Sequence, residues 1–237
     1  MKLRLNKYLA SLGLDSRRKI DDLIEKRKVK VNGKVAKLGD KIDDTEDTVQ
    51  VGKKIFNPST TQKKNEYWMV YKPVNVVSST SDPSRRKVVT SLVKSEQRLY
   101  PVGRLDADSE GLMILTNDGK LTQRLTHPSH HIPKTYVVTV RGKISWNGLN
   151  QIRRGLRLKK IKVKPAEIEV LEKEENTAIL QITIHQGINR QIRRMMKAIN
   201  LEVTKLVRVA VGGLELGNLK PGKSIQLSKS DIQEIFS

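Results

Sequence analysis

Residues 52–65 run Gly52-Lys53-Lys54 through Pro58-Ser59-Thr60-Thr61-Gln62-Lys63-Lys64-Asn65, a polar stretch rich in chain breakers. Such a stretch has the composition of a flexible linker and adds little to a core, so the apolar residues on its two sides must be buried separately. The division expected is therefore a small unit at 1–51, a linker at 52–65 and a larger domain at 66–237. At 237 residues the chain is long enough for both cores. It has no cysteine, which excludes a disulfide scaffold, a Cys-ligated zinc site and thiol catalysis. No apolar run approaches the ~20 residues that cross a bilayer, and Met1-Lys2-Leu3-Arg4-Leu5 lacks the apolar region of a signal peptide. A soluble, cytoplasmic protein without a membrane partner is expected.

In the first unit Leu5, Leu9 and Leu12 recur at helical spacing, and Gly13 can end that helix. Asp15 or Ser16 can cap a second helix with an apolar face of Ile20, Leu23 and Ile24. Its other face carries Arg17, Arg18, Lys19, Lys26, Arg27 and Lys28. Val29 and Val31 lead into Asn32-Gly33, a tight-turn signal between short strands.

Beyond the linker, Tyr67-Trp68-Met69-Val70-Tyr71 opens a new core and is closed by Lys72-Pro73. Further strands are expected at 112–116, 135–141, 166–171, 178–185 and 203–211. Helices are expected at 119–126, 145–154 and 189–198, and Ser230-Asp231-Ile232-Gln233 has the form of a capping box for a short terminal helix. Strands and helices do not alternate regularly. That pattern indicates an α+β fold with a mixed or antiparallel sheet.

The chain has 46 Lys+Arg against 25 Asp+Glu, a formal charge of +21. An excess spread along a folded chain is the footprint of a phosphate-backbone partner. Aromatic residues make up only 4% of the chain, which argues against a long base-stacking platform and for structured RNA held by Lys and Arg. The ordered set Leu5-Asn6-Lys7-Tyr8-Leu9-Ala10, Ser16-Arg17-Arg18-Lys19 and Val29-Lys30-Val31-Asn32-Gly33 resembles an S4-type RNA-binding domain. The resemblance implies that Arg17, Arg18 and Lys19 meet RNA phosphates. Without it, they would be a solvated basic face.

Chemistry-bearing residues are densest in Pro101-Val102-Gly103-Arg104-Leu105-Asp106-Ala107-Asp108-Ser109-Glu110-Gly111. Asp106, Asp108 and Glu110 could hold a hard cation or could cap turns. Arg104 lies in the same loop, however, and the spacing fits no calcium-loop template. Gly103-Arg104-Leu105-Asp106, continued by Ser109-Glu110-Gly111-Leu112-Met113-Ile114-Leu115-Thr116-Asn117-Asp118-Gly119, resembles the signature of RsuA/RluB-type ribosomal RNA pseudouridine synthases. Tyr71-Lys72-Pro73, Lys134-Thr135-Tyr136 and Asn189-Arg190-Gln191-Ile192-Arg193-Arg194-Met195 follow the same family's order, the last two with contexts nearer the RluB-like branch.

That resemblance implies a pseudouridine synthase fold behind the S4-like unit, with a ribosomal RNA substrate. Large-subunit 23S RNA is expected, and small-subunit 16S RNA is the alternative. It implies Asp106 as the aspartate that acts at the sugar, attacking C1′ or removing the C2′ proton. Arg104 would fill the place of the displaced base, and Tyr136 would pack on the flipped uracil and take part in proton transfer. Arg193 would hold Asp106 ionised against desolvation. Arg190 and Arg194 are expected on RNA. Lys72 is counted among the RNA-binding residues, although Lys72-Pro73 also reads as an architectural motif. Neither a metal nor a cofactor is expected, and the protein is expected to be a monomer. His127, His130, His131 and His185 read as loop or RNA-facing residues. Two other classes stay open: a non-catalytic RNA-binding assembly factor, and a metal-dependent nuclease built on Asp106, Asp108 and Glu110.

Overall fold

A computed structural model describes residues 2–57, 64–158 and 161–237. The chain divides into two units, one up to Asn65 with Asn117–Gly119, the other Glu66–Thr116 with Lys120–Ser237.

The first unit begins with strand β1 (Lys2–Arg4), helix α1 (Leu5–Ser11) and helix α2 (Arg17–Glu25). Ser16 caps α2 by accepting the Lys19 N–H, which satisfies one of the orphan donors of the first turn. Leu5, Leu9, Ile20 and Ile24 are buried from the two helices, whereas Leu12 lies just past the end of α1. The strands are β2 (Val29–Val31), β3 (Lys34–Val35), β4 (Lys41–Asp43), β5 (Val49–Val51) and β6 (Lys54–Phe56). β1 pairs with β4, and the others form a sheet in the order β3-β2-β5-β6. Asn32 and Gly33 both have positive φ (48° and 79°), the conformation a two-residue hairpin requires between β2 and β3.

β6 falls inside the stretch whose composition reads as linker. It becomes a strand because its backbone pairs with β5 and Phe56 packs against the first unit's core. Residues 58–63 of the expected linker lie outside the described residues.

The second unit contains β7 (Tyr67–Lys72), β8 (Tyr100–Pro101), β9 (Glu110–Thr116), α3 (Gly119–Thr126), β10 (Lys134–Arg141) and α4 (Trp146–Arg154). It continues with β11 (Leu156–Leu158), β12 (Ile161–Val163), β13 (Glu167–Lys173), β14 (Thr177–Ile184) and α5 (Gln191–Ala198). β15 (Glu202–Val211), β16 (Leu214–Glu215), β17 (Ser224–Gln226) and α6 (Lys229–Glu234) complete it. The main sheet runs β13-β14-β10-β15-β9-β7-β17, with β16 on β15 and β8 on β9. Every pairing in it is antiparallel except β9 with β15, where Glu110 and Gly111 face Val207 and Arg208. The fold is therefore α+β with a mixed sheet.

β14 alternates buried and half-buried residues with period two, because one of its faces is packed and the other is not. β9 is buried on both faces and reads as a continuous apolar run. One face packs Val138, Leu180 and Ile182 against Leu149, Ile152, Ile192 and Met195 of α4 and α5. The other packs Met69, Leu112 and Ile114 against Leu121 and Leu125 of α3.

α6 is capped two residues earlier than the expected box. Ser228 caps it, accepting the Asp231 N–H, while the Asp231 carboxylate accepts the Ser228 N–H. Asp231 is thus the third helical residue, which is where the acidic half of a capping box must sit. Among the described residues no helix is long and apolar enough to cross a membrane.

Candidate active site

The loop joining β8 to β9 runs from a half-buried strand into a buried one, so its few polar residues are placed by the core beneath them. Leu105 is 6% exposed and anchors it. Ser78 grips the same residue twice: its hydroxyl accepts the Leu105 N–H at 3.0 Å and donates to the Leu105 carbonyl at 2.6 Å. Two residues on, the Asn75 N–H donates to the Ala107 carbonyl at 2.8 Å. The Ser109 N–H closes a turn on the Asp106 carbonyl at 3.1 Å. Asp106 is thereby held by main-chain bonds on both sides.

Gly111 allows the next step. Its φ is +109°, and a Cβ there would lie 2.3 Å from the Arg208 carbonyl oxygen. Only a residue without a side chain lets β9 come this close to β15.

Two aspartates leave this loop for different surroundings. Asp108 is saturated by arginine. The Arg190 guanidinium donates to both of its carboxylate oxygens, at 2.9 and 3.1 Å. Arg193 Nε lies 3.3 Å from Oδ2 of the same carboxylate, and Arg193 also donates to the Asp108 carbonyl at 2.7 Å. Partial burial pushes the Asp108 carboxyl up, but hydrogen bonding from Arg190 and the charges of Arg193 and Arg190 hold it below the usual carboxylate range. Asp106, with a side chain 28% exposed, has one ion pair among the described residues, to Arg190 at 3.8 Å. That separation leaves its oxygens open to a substrate.

Asp106 lies on the wall of a cavity of about 680 Å³, a size that accommodates a nucleoside. Arg104, Tyr136, Lys134, Arg190 and Arg208 share the wall. Tyr136 is 9% exposed on β10 and sits directly opposite Arg208 of β15. Burial lowers the Lys134 ammonium to about 8, and the nearby Arg208 charge adds to the shift. His127, His131 and His185 line the outer part of the cavity, with His185 Nδ1 3.1 Å from the His131 carbonyl oxygen.

Asp106, Arg104, Tyr136 and Arg190 thus converge, and three other expected site residues stand elsewhere. Arg193 was expected beside Asp106, but its two terminal nitrogens donate to the Val203 and Asp108 carbonyls at 2.9 and 2.7 Å, and its ion pair is with the Asp108 carboxylate. Lys72, placed among the RNA-binding residues, is fully buried, its ammonium donating to the Pro73 and Val76 carbonyls at 2.9 and 2.8 Å. Burial lowers it to about 8 against the opposing charges of Asp108, Glu110 and Asp106, and from that position it cannot reach RNA. Arg194 is half-buried on α5 and does not line the cavity. In the first unit Arg17, Arg18 and Lys19 are exposed along α2.

The carboxylates of a nuclease site do not assemble. Asp108 faces its arginines and Glu110 faces Lys205 at 3.5 Å. Among the described residues no three acidic or histidine side chains form a metal-binding group. The residue that sequence reasoning missed is Arg208. Its signal is present, since it is an arginine within the apolar C-terminal half of β15, flanked by Leu206-Val207 and Val209-Ala210-Val211.

Residues 66–198 match the family model described as RNA pseudouridylate synthase, and residues 3–60 match the S4 domain model. The chain is 42% identical to ribosomal large subunit pseudouridine synthase B of Bacillus subtilis (strain 168), over 98% of this chain and 95% of that one. It is 36% identical to an uncharacterized RNA pseudouridine synthase of Aquifex aeolicus (strain VF5), over 100% and 94% of the two chains. Among solved structures, a pseudouridylate synthase crystal structure superposes with a TM-score of 0.70 at 29% identity, covering 98% of this chain and 99% of the other.

Proposed function

Because the chain belongs to the RNA pseudouridylate synthase family and carries an S4 domain ahead of the matched segment, we propose that it converts a specific uridine of 23S ribosomal RNA to pseudouridine. The large-subunit substrate is supported by the likeness to the Bacillus subtilis synthase. The observation that carries the mechanism is the contrast within the loop, where Asp108 is hydrogen-bonded on both oxygens by Arg190 and Asp106 is held at the cavity wall with only a 3.8 Å ion pair to Arg190 among the described residues.

In this reading Asp106 acts at the ribose of a nucleotide drawn out of its stack. The N1–C1′ bond breaks, the uracil turns in place, and C5 joins C1′. C5 then loses its proton while N1 gains one, so the isomerisation needs no oxidant and no co-reactant. Arg190, at 3.8 Å, favours the ionised carboxylate in a partly desolvated wall. Tyr136 packs on the base and, directly or through a water, accepts the C5 proton. Arg104, exposed at the cavity mouth, takes the space the base leaves and so lowers the few kcal/mol that extrusion costs. Arg193 and Lys72 work behind the wall, the first through Asp108 and the second through the Pro73 and Val76 carbonyls. The exposed cations of α2 bind RNA phosphates in the S4 unit.

Ribosomal RNA transcripts carrying tritium at uracil C5 test the assignment. Wild-type protein releases label to water from 23S RNA, and Asp106→Asn does not. Full release by that variant removes Asp106 from the reaction, and release from 16S RNA alone moves the target to the small subunit.

A further inference from the structure

Arg208 and Lys134 have a charge that the protein leaves unbalanced. Arg208 is 5% exposed, and its Nε donates to the Leu112 carbonyl at 2.7 Å. Lys134 Nζ donates to the Ile132 carbonyl at 2.7 Å. Among the described residues neither cation has a carboxylate partner, although both stand on the cavity wall and near each other. The acidic groups of the neighbouring loop are directed to other cations: Asp106 and Asp108 to Arg190, and Glu110 to Lys205. Burying like charges together without an anion is costly, and the cost is recovered when a ligand brings the anion.

We propose that Lys134 and Arg208 form a seat for a phosphate of the nucleotide whose base meets Tyr136. The inference rests on the reading of the cavity as a nucleotide site and adds which group of the nucleotide is held there. A guanidinium whose terminal nitrogens have no hydrogen-bond partner among the described residues presents a fork to two phosphate oxygens, and an ammonium beside it serves as a point charge for the third. A neutral uracil offers only carbonyl oxygens, whereas the permanent charge of a nucleotide is on its phosphates. Lys134 and Tyr136 share one face of β10, and Arg208 is the register partner of Tyr136, so base and phosphate would be gripped from adjacent positions of the same sheet.

Uridine 3′,5′-bisphosphate and uridine, titrated into the full-length protein at low salt and followed by NMR, test the seat. Wild-type protein is expected to prefer the bisphosphate by roughly tenfold or more, with salt weakening the preference. Lys134→Met should lose most of that preference with uridine affinity unchanged, and Lys134→Arg should keep it. Equal preference in Lys134→Met and wild type overturns the proposal, as does a wild type that does not discriminate between the two probes at tens of millimolar. Tritium release from 23S transcripts is scored separately. Release by wild type with an unaltered preference in Lys134→Met defeats the phosphate seat alone. A Lys134-dependent preference without release defeats the functional reading alone.

Discussion

The molecule uses its cations in opposite ways in two regions, the face of α2 and the loop between β8 and β9. On α2 the cations stand in water: Lys19 has a side chain 66% exposed, with an ion pair to Asp15 at 3.5 Å. Behind the loop the Arg193 side chain is 14% exposed and holds two carbonyls and a carboxylate at once. A solvated charge can contribute attraction to a polyanion, which depends on how many charges there are and on the salt around them. A charge locked in a network contributes position, which depends on each bond. Binding and chemistry should therefore be separable by mutation.

The most severe test is Asp106→Asn, expected to cut tritium release by about 10⁴-fold while leaving RNA affinity within about threefold. A parallel fall in affinity would erase the distinction between the two regions. Next comes Gly111→Ala, whose new Cβ would collide with the Arg208 carbonyl; denaturant titration should show a loss of about 3 kcal/mol. Asp108→Ala releases Arg190 and Arg193 without touching Asp106. Its kcat should fall roughly 30-fold with little change in KM, because misplacing a reacting group acts on the chemical step. A KM effect alone would place Asp108 on the RNA side of the comparison.

Replacing Arg17, Arg18 and Lys19 together by Ala should do the reverse. Affinity should fall about tenfold at low salt and the slope of log affinity against log salt should flatten by roughly 2 to 3, with kcat at saturating RNA preserved. An unchanged slope would mean that α2 does not meet phosphate. The smallest effect is on stability. Lys72 and Lys134 are lowered by burial to about 8, below the ordinary lysine value, so between pH 8 and the ordinary value the unfolded chain binds more protons than the folded one. Unfolding free energy should then rise with pH, by about 2 kcal/mol from pH 8 to roughly pH 9, and Lys72→Met should remove about half of the rise.

Local rules were legible where one neighbour decides the outcome. The β2–β3 turn follows from Asn32-Gly33, the start of α2 from Ser16, and the buried face of β14 from alternating Ala178, Leu180, Ile182 and Ile184. They failed where partners come from far along the chain. The hairpin of β5 and β6 overrode a linker-like composition through backbone pairing. Lys72, which in sequence reads either as an RNA-binding lysine or as part of an architectural motif, was taken inside by two carbonyls.

The sequence by itself determined the two cores, the basic face of α2 and the loop that holds Asp106, because periodicity, caps and turns are properties of neighbouring residues. Only the tertiary structure decided which arginine meets which aspartate, and that Arg208 stands on the cavity wall with no carboxylate partner among the described residues. Asp108 and Arg190 are 82 residues apart in the chain. No local pattern encodes such a pair, since the charge balance of a buried site depends on which strands and helices pack together around it.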